Sequence, residues 1–206
     1  MRIAASALSR RAMLLVGGSA LAAGGLAFLY PVRNREFNSV DITGANYARD
    51  FLLPDHSGQL RRLKDFQGRA VAVFFGFTQC PDVCPTTLTE MTRVKQLLGN
   101  DGGRLQVIFI TVDPGRDTPQ VLEAYMRNFD PQHLALLPSE HQLAEVTKEF
   151  RIYFKKVEGK TPTAYSMDHS AGTYIFDARG RARLYARYGL KPEELVSDVR
   201  TLLREA

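Results

Sequence analysis

The 206-residue chain contains two cysteines, and both lie in one short stretch, Gly76-Phe-Thr-Gln-Cys80-Pro-Asp-Val-Cys84-Pro85. Two cysteines are too few for a disulfide framework, so the pair points to chemistry. Thiols held this close can form and break a disulfide, or hold one metal ion. Paired thiolates select soft ions such as Cu(I) and also bind zinc. A metal would need a further ligand from elsewhere, and the chain offers four histidines. His56 falls in a turn-rich cluster, His133 in a loop after Pro131, and His141 near a helix start. These three are expected to be ordinary solvated or hydrogen-bonded side chains. His169 lies in Ser166-Met-Asp-His169-Ser170.

The elements that must position these residues follow from pattern. Phe51–Leu53 and Leu60–Leu63 flank Pro54-Asp-His-Ser-Gly58, which predicts a β-hairpin. Ala70–Phe77 and Leu105–Val112 are continuously apolar, as central strands covered on both faces are. Between them, Thr86–Leu98 carries Leu88, Met91, Val94 and Leu98 at mostly helical spacing. Asp117-Thr-Pro119 starts a second helix, with Asp117 as its cap. Ser139 and Gln142 have capping-box spacing for a third helix, running to about Phe150. Gly172–Phe176, the turn Asp177–Gly180 and Arg183–Arg187 form a hairpin, and Lys191-Pro192 opens a last helix.

Strands alternating with helices predict an α/β sandwich with a mixed central sheet. A cysteine pair at the end of the first buried strand makes it thioredoxin-like. In such a fold the loop holding His169 faces the N-terminus of the first helix. His169 is therefore the histidine with a geometric claim to the site. That helix N-terminus should also make Cys80 and Cys84 more acidic than isolated thiols.

Nearby acids are read more plainly. Asp82 is expected to make turn or cap hydrogen bonds. Asp168 either orients His169 or is a solvated loop carboxylate. Asp113 ends a strand, and no raised-pKa environment supports paired-carboxylate catalysis with Asp117.

Charge excludes nucleic acid as a partner. The net charge is +5, but Arg2, Arg10, Arg11, Arg33 and Arg35 account for it, leaving a nearly neutral body with no basic face. Residues 12–30 carry no charge. As a helix they would span about 28 Å, against about 30 Å of bilayer hydrocarbon. Arginines before this run keep the N-terminus in the cytoplasm and export the rest. The expected organisation is a cytoplasmic N-terminus (1–11), an anchor (12–30), a polar linker (31–49) and one domain (50–206). A signal peptide cleaved near Ala20-Leu-Ala22 and a mitochondrial presequence are the alternatives.

The motif Gly-Phe-Thr-Gln-Cys80-Pro-Asp-Val-Cys84-Pro-Thr-Thr-Leu resembles the signature of the SCO/SenC family. Thr111-Val-Asp113-Pro-Gly-Arg-Asp117-Thr-Pro119 and Asp168-His169-Ser170, the latter followed by Thr173–Asp177, resemble two further blocks of that family. The resemblance spans about residues 45–206. It implies a copper-binding accessory protein for the dinuclear CuA centre of cytochrome c oxidase. It implies one copper ion per chain, held by Cys80, Cys84 and His169, with Cys80 and Cys84 also serving as a redox pair. The implied partner is the CuA-bearing oxidase subunit, with a periplasmic copper donor and a thiol reductant beside it. The implied location is the bacterial inner membrane, facing the periplasm, with the mitochondrial intermembrane space as the alternative. A membrane-tethered thiol–disulfide oxidoreductase without a metal role is the competing reading.

Overall fold

A computed structural model describes residues 37–160 and 164–205. A six-stranded sheet runs in the order β1 (Val40–Asp41), β10 (Ala182–Ala186), β9 (Thr173–Phe176), β4 (Ala70–Gly76), β5 (Leu105–Thr111), β6 (Leu134–Leu136). The β4–β5 and β5–β6 pairs are parallel, and the other three are antiparallel. Two hairpins stand outside this sheet: β2 (Leu53–Pro54) with β3 (Leu60–Arg61), and β7 (Phe154–Val157) with β8 (Ser166–His169). The predicted thioredoxin-like α/β sandwich with a mixed central sheet is what the chain adopts.

Strands β4 and β5 are buried at every position, which explains their unbroken apolar sequence. Alternate residues serve opposite faces. Ala70, Ala72 and Phe74 pack with helices α1 (Val83–Leu98) and α4 (Pro192–Arg204). Val71, Val73 and Phe75 pack with Leu143 and Val146 of α3 (Glu140–Glu149) and with Phe51 and Leu53. The α3 capping box is present: the Ser139 hydroxyl accepts from the Gln142 N–H at 3.3 Å, and the Gln142 side chain accepts from the Ser139 N–H at 3.0 Å.

Three expectations need correction. Residues 37–49 belong to the folded unit and are not part of a linker. Val40 and Asp41 pair with Tyr185 and Leu184 as the sheet edge. The Asn38 and Ser39 N–H groups donate to the Asp198 carboxylate at 2.9 and 2.8 Å, and Ala48 is fully buried. A two-residue edge strand with both side chains exposed leaves no apolar alternation to read. Asp117 does not cap α2 (Pro119–Met126); Thr118 does, its hydroxyl accepting from the Val121 N–H. Asp117 is instead fully buried. His169 ends strand β8, where a loop was expected.

The expected anchor, residues 12–30, lies outside the described residues. Among the described residues no helix is long and apolar enough to cross a membrane.

Candidate metal centre

The first buried strand ends at Gly76, and α1 begins at Val83, three residues before the sequence suggested. Cys84 therefore sits in the first helical turn. Pro85 is tolerated there because first-turn N–H groups have no intrahelical partner. The Asp82 carboxylate does not cap α1, though it accepts from the Thr86 hydroxyl at 3.3 Å. The Cys80 sulfur takes that role, accepting from the Cys84 N–H at 3.5 Å. Cys84 is fully buried and Cys80 is partly exposed, and both are free thiols.

Gly76 makes room for this arrangement. A Cβ there would lie 2.5 Å from the Cys84 sulfur and 2.7 Å from the Phe109 ring. A lone glycine ending an otherwise bulky strand was the readable signal for this close approach.

The histidine arrives from the other side. His169 Nε2 lies 3.6 Å from the Cys84 Sγ. Its Nδ1 lies 3.0 Å from the Ser170 carbonyl oxygen, and its ring meets Phe77 edge-on at 5.8 Å. A carbonyl acceptor at Nδ1 favours the tautomer with its proton there, leaving the Nε2 lone pair toward the thiols. Asp168 does not orient the ring. It is exposed and alternates with His169 along β8, so its carboxylate leaves from the opposite face.

The ligand atoms of Cys80, Cys84 and His169 all lie within 4.8 Å of one another. With bonds of about 2.3 Å to sulfur and 2.0 Å to nitrogen, two ligands of one ion sit about 3.6–3.8 Å apart. The measured Cys84–His169 separation matches that spacing. The other three histidines stay away from the cysteines. His133 is buried near Asp130, His141 is an exposed partner of Glu145, and His56 sits in the β2–β3 turn.

The two thiols divide their charge unevenly. The Cys84 thiol donates to the Cys80 sulfur and pulls the Cys80 pKa down to about 3. Burial opposes this, and the N–H groups of Cys84 and Asp82 assist it. Cys84 is pushed upward by that same hydrogen bond, by burial and by the Cys80 charge. The resting pair is therefore a Cys80 thiolate facing a Cys84 thiol. A low-pKa, partly exposed sulfur beside a protonated partner is suited to thiol–disulfide exchange as well as to a soft metal.

Two supporting groups escaped sequence reasoning. Asp117 fastens the cysteine loop to the end of β5, accepting from the Thr78 hydroxyl at 2.6 Å, from the Thr78 N–H at 3.1 Å and from the Thr111 hydroxyl. Burial raises its pKa, partly offset by those bonds. Arg116 pairs with Asp113 and reaches both Gln79 and Tyr165. The sequence suggested a helix cap for Asp117 and no role for Arg116, because Thr78, Gln79 and Tyr165 lie tens of residues away from them.

The family model described as SCO1/SenC matches residues 40–204. The chain belongs to the SCO1/SenC family. It is 36% identical over 148 residues to an SCO2-like protein of Rickettsia felis, covering 71% of this chain and 72% of that protein. It is 36% identical to the mitochondrial SCO2 homolog of Bos taurus, covering 73% of this chain and 58% of that protein. Among solved structures, copper-bound ScoI of Bradyrhizobium japonicum superposes with a TM-score of 0.68 at 38% identity, over 74% of this chain and 97% of that one. Copper-bound yeast Sco1 gives 0.69 at 30% identity, over 76% and 88%.

Proposed function

We propose that this SCO1/SenC protein binds one copper ion through Cys80, Cys84 and His169 and serves assembly of the CuA centre of cytochrome c oxidase. The observation that carries the reading is the convergence of those three ligand atoms within 4.8 Å. Copper-bound relatives of the same fold support it. Two thiolates suit Cu(I), and the imidazole completes a three-ligand shell without closing it off. An open shell lets an incoming thiolate or imidazole of the CuA-bearing subunit replace these ligands one at a time. The partly exposed Cys80 is the ligand such a partner reaches first. The uncharged run 12–30 is read as an anchor that holds the domain at the membrane bearing its partner.

A second reading rests on the low-pKa Cys80 beside a protonated Cys84. The dithiol could reduce a disulfide in the CuA-bearing subunit. Cys80 attacks one partner sulfur to form a mixed disulfide and releases the other as a thiol. Cys84 then loses its proton and attacks Cys80, leaving a Cys80–Cys84 disulfide and a reduced partner. Two electrons and the Cys84 proton pass to the partner, the second proton comes from solvent, and His169 has no required role.

A competitive Cu(I) titration of the reduced full chain in detergent separates the readings. The copper reading expects one tight ion per chain, weakened by His169→Ala and lost in Cys80→Ser/Cys84→Ser. Binding indifferent to His169 would overturn the three-ligand site and leave the reductase reading.

A further inference from the structure

The histidine and the cysteines are carried by separate parts of the fold, so something must hold them in register. Hairpin β7–β8 does not join the central sheet. Its burial is slight: Phe154 and Met167 are partly buried against the core, while Lys155, Lys156, Val157, Ser166 and Asp168 are exposed. Weak burial alone would leave the position of His169 loosely defined.

Arg116 bridges the gap. Its Nη1 donates to the Gln79 side chain at 3.0 Å, beside Cys80, and to the Tyr165 carbonyl at 2.8 Å, at the start of β8. Its Nε pairs with Asp113 at the end of β5. The Tyr165 hydroxyl donates to that same Asp113 carboxylate at 2.8 Å. The guanidinium lies over the Tyr165 ring at 3.5 Å and near the Phe77 ring at 5.9 Å, and Phe77 is the ring against which His169 rests. The Arg116 side chain is 15% exposed, and its Nη2 is buried without a partner. One cation thus touches the cysteine loop, the strand end and the histidine hairpin. Only a planar fork of donors can do this; an ammonium offers a single point.

We infer that Arg116 is a positioning residue, a clasp that docks the β7–β8 hairpin onto the cysteine loop and so sets His169 against the thiols. The inference rests on the three-ligand reading above for its effect on copper, and on geometry alone for its effect on the hairpin. Arg116 touches none of the ligand atoms. Its contribution to metal binding therefore passes through His169.

The test uses the reduced full chain in detergent with Arg116→Met, Arg116→Lys, His169→Ala and the Arg116→Met/His169→Ala double variant. The first readout is amide hydrogen exchange in the metal-free protein. Exchange across Ser166–Ser170 is expected to quicken about tenfold in Arg116→Met, with amides of α1 and β4 unchanged. The second readout is Cu(I) affinity by competition. Arg116→Met is expected to weaken it about tenfold in the wild-type background and to add nothing once His169 is gone; Arg116→Lys falls between. Unchanged exchange in the hairpin, or an equal affinity loss with and without His169, would overturn the clasp. If Arg116→Met does not fold, Arg116→Lys and Tyr165→Ala carry the same two readouts, with the same opposing results. If His169→Ala itself leaves copper binding intact, the three-ligand reading fails, while the exchange result still decides the clasp.

Discussion

The two halves of the metal centre are built in opposite ways. The cysteine half grows out of the most buried part of the molecule. Strand β4 is covered at every position, Cys84 has no exposed surface, and Gly76 lets its sulfur lie against the strand. The histidine half hangs on a two-stranded ribbon whose residues mostly face solvent. The dithiol thus inherits the stability of the core, whereas the histidine inherits only that of a peripheral hairpin. On the proposed three-ligand reading, loss of His169 weakens copper binding while leaving the dithiol in place, and movement of the ribbon would be a route to release.

The largest expected effect tests the cysteine half. Cys80 has its pKa pulled down to about 3, chiefly by the Cys84 thiol, so it is a thiolate at neutral pH and gains its proton only as pH falls through about 3. Cys84→Ala removes that main cause. The thiolate absorbance near 240 nm should then titrate several units higher, leaving roughly 1% or less of thiolate at pH 6 for a thiol near its ordinary value of about 8.5. A pKa unmoved by the substitution would break the claim that the two sulfurs share one proton.

Next in size are two changes on the core side. Gly76→Ala places a carbon 2.5 Å from the Cys84 sulfur, and overpacking of this kind costs about 1–3 kcal/mol. Urea denaturation should show that loss, and hairpin exchange should not change beyond it. His133 offers a pH probe of the same kind. Burial holds its pKa down to about 4, with Lys95 assisting and Asp130 opposing. Below its unfolded value of about 6.5 the unfolded state takes up a proton that the folded state refuses. Stability should therefore fall as pH drops from about 6.5 to about 4, by roughly 2–3 kcal/mol. His133→Gln should remove most of that slope in pH-dependent denaturation; an unchanged slope would place the acid sensitivity elsewhere.

The smallest effect sharpens the histidine half. Asp168 adjoins His169 in sequence yet projects from the other face of β8. Asp168→Asn should change Cu(I) affinity less than about twofold, as expected for an exposed charge. A loss as large as that of His169→Ala would mean that the carboxylate reaches the imidazole after all.

What could be read from the sequence follows the same division. Strands β4 and β5 announce themselves because both faces are apolar, and α3 because Ser139 and Gln142 form a local cap. Cys80 and Cys84 are legible as a pair, and His169 by its place in the order of elements. The hairpin was missed because only Phe154 and Met167 reach the core, too few to impose alternation on β7 and β8. Residues 37–49 were misread because their anchors are scattered and distant: the Asn38 and Ser39 N–H groups bond Asp198, 160 and 159 residues away, and Phe37, Ile42, Tyr47 and Ala48 pack against the core with no helix or strand period. The positions of Asp117 and Arg116 were legible, but their roles were not, since Thr78 lies 39 residues from Asp117 and Tyr165 lies 49 from Arg116.

The central proposal is that a core-anchored dithiol and a peripheral imidazole share one copper ion. X-ray absorption of the Cu(I)-loaded full chain tests it most directly. The expected result is two sulfur ligands and one nitrogen ligand per copper, with the nitrogen shell absent in His169→Ala. A sulfur-only shell in the wild-type protein, or a nitrogen shell that survives loss of His169, would contradict it.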